Sequence, residues 1–122
     1  MRTHPAISER IVRRVPGLTG AARLVRHHHE RWDGNGYPDQ LAGEAIPIEA
    51  RVIAAADAYS AMLTDRPYRR ACSRREAIAE LQRAAGSQLD PTIVDALVRT
   101  TRREQRTQPP ADVSAAPLRQ AA

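Results

Sequence analysis

The chain has 122 residues and a formal net charge of +5; 42% is apolar, 27% is charged, Phe is absent, and the aromatics are one Trp and three Tyr. That is room for one domain with a thin, aliphatic core. No apolar run nears the ~20 residues of a membrane helix, and Met1-Arg2-Thr3-His4-Pro5 has no hydrophobic stretch of secretory type, so neither a membrane span nor a secretory signal is expected. The single Cys72 rules out a disulfide framework and suits a reducing cytoplasm. All 19 basic residues are Arg. Acids are scattered among them and aromatics are few, so a nucleic-acid polymer is not the expected partner. A smaller phosphate-bearing ligand stays open, because Arg grips phosphate in a planar, bidentate way.

Ile7, Ile11, Val12 and Val15 recur at helical spacing and predict a short amphipathic helix ending before Pro16-Gly17. Thr19 is placed to cap a second helix running through Ala21, Ala22, Leu24 and Val25 into His27-His28-His29-Glu30. The densest turn signals follow, Asp33-Gly34-Asn35-Gly36-Tyr37-Pro38. This loop is expected to reach Pro47, anchored by Leu41 and Ile46. A third helix is predicted over Ile48 to Leu63, with Ala54-Ala55-Ala56 allowing close helix approach. Ser73-Arg74-Arg75-Glu76 is a capping box, and its helix should carry Ile78 and Leu81 and stop near Gly86. Asp90-Pro91 starts a fifth helix with Ile93, Val94, Leu97 and Val98. From about Gln105 the chain turns to Gln, Pro, Ala and Ser, which reads as a disordered tail over 105–122. The expected class is all-α: five short helices and one long loop.

The four His residues, His4 and His27 to His29, lie in the first quarter of the chain. On a helix, adjacent side chains diverge by ~100°, so neighbouring imidazoles do not easily serve one metal from one face. They could serve two metals, or a metal and a substrate, or form a solvated patch. Asp57 stands inside the apolar run Val52 to Tyr59, where a buried carboxylate is costly unless paired or metal-bound. The plainer reading puts it on the exposed face. Imidazole plus carboxylate is a ligand set of hydrolytic iron, manganese or zinc sites. Arg66 and Arg69 sit three apart on a Pro-containing turn, where they could clamp a phosphate or be ordinary surface residues.

The run His28-His29-Glu30-Arg31-Trp32-Asp33-Gly34-Asn35-Gly36-Tyr37-Pro38 resembles the HHExxDGxGYP signature of the HD-GYP family. The resemblance extends from His4-Pro5 through Ala56-Asp57-Ala58-Tyr59 and Arg66-Pro67-Tyr68-Arg69 to Asp90-Pro91. It implies an all-α phosphohydrolase that cleaves cyclic di-GMP with activated water at a site of divalent metal, iron or manganese. By position it implies metal ligands at His4, His28, His29 and Asp57, and leaves His27 unassigned. Tyr37 would line the substrate pocket, and Arg66 and Arg69 would grip the substrate phosphates. Glu30, Asp33, Gly36 and Pro38 would order the loop or support the ligands.

The match stops at the namesake His-Asp pair, which does not occur in the 122 residues, and there is no Lys to match the one that follows it. Ser60 stands where the family usually has a second acid. The resemblance therefore implies an N-terminally shortened domain, with an active site too incomplete for turnover. The alternative is a non-catalytic module that binds a nucleotide or a signalling protein. Helices lacking their packing partners should expose Ile7, Ile11, Val52, Ile53, Ile78 and Leu97, surface suited to a second copy or another protein.

Overall fold

Pro5 occupies the first turn of α1 (His4–Arg13), where its missing N–H costs nothing. The computed structural model describes residues 3–108. Four further α-helices follow: α2 (Thr19–His27), α3 (Ile48–Met62), α4 (Arg74–Ala84) and α5 (Pro91–Thr107), with one 3-10 turn at Gly43–Ala45. There is no strand among the described residues, so the class is all-α as expected. No described helix is long and apolar enough to cross a membrane.

The start signals act through the predicted chemistry. Ser73 Oγ accepts from the Glu76 N–H at 3.2 Å, and Glu76 Oε2 accepts from the Ser73 N–H at 2.9 Å, closing the capping box. Asp90 Oδ1 accepts from the Thr92 N–H at 2.8 Å and caps α5. Thr19 does not cap α2: Leu18 holds that position, Thr19 is already helical, and no side chain accepts there. The first helix stops at Arg13, short of Val15. The last continues to Thr107, past the boundary set at Gln105; 109–122 lie outside the described residues.

α1 and α2 form a helical hairpin. Helices α3, α4 and α5 enclose the core: Ala55, Leu81, Leu89, Val94 and Val98. Ala55 gives the close approach that its small side chain permits. Ile78 and Leu97, expected to be exposed, pack on this core instead, while Ile7, Ile11, Val52 and Ile53 are exposed.

The long loop is stitched to this frame. Trp32 and Asp33 donate their backbone N–H groups to the Gln88 and Ser87 carbonyls at 3.2 and 2.8 Å. Ile46 is buried as predicted, whereas Leu41 is only half-buried. Arg51 donates to the Ile46 carbonyl at 2.9 Å and to Asp90 Oδ2 at 2.8 Å, and its guanidinium lies 6.0 Å from the Trp32 ring centre. One side chain thus joins the loop, α3 and the cap of α5.

Candidate metal centre

The sequence places His27 to His29 in succession, and the fold decides where the helix stops. α2 ends at His27, and His28 is its C-cap. The backbone of His28 is still helical (φ −69°, ψ −11°), so the helix end does not by itself bring His28 and His29 together. Their rings lie 3.9 Å apart between centres, and His4, the first residue of α1, brings its ring within 6.2 Å of His28 and 5.2 Å of His29. One ring nitrogen from each of the three lies within 4.8 Å of the others.

His28 Nδ1 lies 2.8 Å from the Val25 carbonyl, which can only accept, so Nδ1 is the donor and Nε2 is the nitrogen left for a ligand role. Burial holds the His29 pKa below its ordinary 6.5, and nearby His28 and His4 lower it further; Asp57 opposes them. Neutral imidazole is the form that binds metal. Asp57 projects from the middle of α3 and is exposed, yet it lines the same cleft as His28 and His29. That resolves its placement: the carboxylate is neither buried in the core nor remote from the imidazoles. Three clustered imidazoles, two of which share the cleft lining with a carboxylate, fit a divalent transition metal.

The cleft has a volume of about 360 Å³. Tyr37 forms part of its wall and stacks on His29, with ring centres 5.0 Å apart and planes 20° from parallel. The Tyr37 N–H also donates to the His29 carbonyl at 3.3 Å. The Tyr37-Pro38 peptide is cis. Gly36 is buried against the chain itself: a Cβ there would lie 2.4 Å from the Arg31 nitrogen and 2.6 Å from the Glu30 Cα.

Both oxygens of buried Glu30 are occupied by the loop, accepting from the Asp39 and Leu41 N–H groups at 2.7 and 3.0 Å. Asp33 is held by Arg31 at 3.1 and 2.8 Å and by the Asn35 N–H, and the Arg31 bond chiefly keeps its carboxyl far below the usual carboxylate range. Arg66 and Arg69 are exposed on the turn after α3, where their backbones pair with each other. Arg69 also donates to the Ala61 carbonyl at 2.9 Å. Neither is among the residues that line the cleft.

Sequence reasoning missed three features. Arg26 holds both oxygens of Asp39 at 2.7 Å and reaches Glu9 at 2.8 Å, so it ties α1 to the loop. His27 is buried beside that network, its Nδ1 3.6 Å from Asp39 and 3.8 Å from Glu30 without a hydrogen bond. Arg31 and Gln88 line the cleft. The loop's attachment to the α4–α5 turn brings Gln88 there, and no local pattern announces it.

Residues 1–93 match a family described as an HD domain. Over 101 residues the chain is 44% identical to the cyclic di-GMP phosphodiesterase response regulator RpfG of Xanthomonas campestris, covering 81% of this chain and 27% of that protein. It is 33% identical over 97 residues to the 3'3'-cGAMP-specific phosphodiesterase 3 of Vibrio cholerae, covering 80% of this chain and 21% of that one. The crystal structure of a Vibrio cholerae cyclic GMP-AMP-specific phosphodiesterase superposes with a TM-score of 0.74 at 23% identity, covering 85% of this chain and 24% of that one. This last likeness establishes the fold.

Proposed function

The chain belongs to the HD domain family, and from that premise we propose that it serves metal-dependent hydrolysis of cyclic di-GMP or a closely related cyclic dinucleotide. The convergence of His4, His28 and His29 in one cluster, with Asp57 in the same cleft, carries this reading. The donor set suits iron or manganese. Such an ion, when bound, would acidify water and polarise a phosphodiester.

The chain's own residues do the rest. Val25 fixes the tautomer of His28, and Tyr37 fixes the plane of His29 while forming part of the wall that a nucleotide would meet. Glu30, Asp33, Gly36 and Pro38 hold the loop that carries Tyr37. Arg66 and Arg69 lie beyond the C-terminus of α3, which is about 7.5 Å along the axis from Asp57. From there they would offset substrate phosphate charge at the rim of the site and draw in an anionic ligand.

Because the 122 residues contain no His-Asp pair, we propose that they bind metal and nucleotide but do not by themselves turn the nucleotide over at an enzymatic rate. A second reading, a nucleotide-binding module, is favoured by apolar surface on two helices. Exposed Ile7 and Ile11 on α1, and Val52 and Ile53 on α3, then offer surface to a second copy or a signalling protein.

Manganese-loaded chain mixed with cyclic di-GMP tests both parts. Calorimetry should show saturable, manganese-dependent binding, and chromatography should show little pGpG or GMP. Absence of binding would refute the nucleotide reading. Rapid product formation that disappears in His29→Ala would refute the inactivity of these residues alone.

A further inference from the structure

Most polar groups of the cleft already have a task. His28, His29 and Asp57 form the proposed metal-holding side. Both Glu30 oxygens are taken by loop amides, and Arg31 Nε and Nη2 are held by Asp33. Gln88 differs. It lines the cleft from the turn between α4 and α5, is exposed, and its side chain makes no hydrogen bond within the described residues. Its backbone carbonyl, in contrast, accepts from Trp32, and neighbouring Ser87 accepts from Asp33. The backbone is thus fastened to the loop while the amide is left over. It is the only carboxamide among the described residues that line the cleft.

A carboxamide presents an acceptor and a donor side by side. Guanine offers the matching pair at N1–H and O6, and adenine offers it at N6–H and N7. We propose that Gln88 reads the purine of a bound cyclic dinucleotide, an inference that rests on the nucleotide function proposed above. The contact fixes a purine in the cleft and accommodates either one. A carboxylate at the same position would behave differently, because it only accepts. It pairs with the two adjacent donors of guanine, N1–H and N2–H, and finds no such pair on adenine.

The test is calorimetry of cyclic di-GMP and cyclic di-AMP on the manganese-loaded chain, with manganese binding measured separately. Gln88→Ala should weaken both ligands by roughly five- to tenfold, the worth of two modest hydrogen bonds, and leave manganese stoichiometry unchanged. Gln88→Glu should shift the affinity ratio toward cyclic di-GMP on the order of tenfold. Its added charge acts on both ligands alike, so the ratio isolates the base. Wild-type affinity in Gln88→Ala, or an unshifted ratio in Gln88→Glu, would overturn the proposal and leave the nucleotide reading intact. If the wild type binds neither ligand, both readings fall.

Discussion

Gly36→Ala perturbs the loop with a single methyl group. The new Cβ would sit 2.4 Å from the Arg31 nitrogen, 2.6 Å from the Glu30 Cα and 2.7 Å from the Glu30 carbonyl carbon. All three are backbone atoms, so no side chain can swing aside. Ordinary contact begins at 3.4 Å, so the two strands of the loop must part by up to about 1 Å. Overpacking of this kind costs about 1–3 kcal/mol. The same shift strains the 3.3 Å bond from the Tyr37 N–H to His29 and withdraws the stacked ring. Urea unfolding should show a midpoint lowered by about 1 M at unchanged slope, together with weaker manganese binding. Gly20→Ala is the control: nothing lies within 4 Å of its Cβ and it sits in the first turn of α2, so it should be neutral or slightly stabilising. A Gly36→Ala chain with the wild-type midpoint and manganese affinity would refute the close packing of the loop.

The buried pair Arg51–Asp90, with side chains 15% and 2% exposed, joins loop to core. Arg51→Ala should therefore cost about 3 kcal/mol by stranding the carboxylate; a loss under 1 kcal/mol in denaturant unfolding would contradict that. Arg26 first of all keeps the Glu9 carboxyl below its ordinary 4.5 and the Asp39 carboxyl below its ordinary 3.8, while burial opposes it at both. Their contribution is complete above pH 4.5 and is lost as pH falls through the lowered folded values. Arg26→Met should thus lose about 2 kcal/mol at pH 7, with the gap to wild type closing in acid; a gap independent of pH would exclude the network. Tyr37→Phe keeps the ring and should hold manganese as the wild type does, whereas Tyr37→Ala should bind it roughly tenfold more weakly; equal affinities would remove the stacking role.

Local chemistry made much of this legible. Ser73 with Glu76, and Asp90 with Pro91, act within three residues of themselves, so their effect is written in adjacent positions. The Gly-rich loop is legible for the same reason, and family resemblance supplied His4 and Asp57 from distant segments. What local patterns omit is set by the tertiary frame. Arg26 meets residues 17 positions before it and 13 after. Gln88 reaches the cleft because Trp32 binds its carbonyl. The end of α2 at His27 also has no sharp signal, since neither Gly nor Pro follows directly. His28 and His29 nonetheless bring their ring centres within 3.9 Å at that end. Arg66 and Arg69 illustrate the converse: their spacing suits a clamp, but the turn that holds them keeps both outside the cleft lining.

Manganese titration of the 122-residue chain, followed by electron paramagnetic resonance, tests the centre most directly. One tightly held ion per chain is expected, with nitrogen couplings that diminish in His4→Ala, His28→Ala and His29→Ala, and weaker retention in Asp57→Asn. Binding that is absent, or that survives the combined loss of all three histidines, would contradict a metal centre in this cleft.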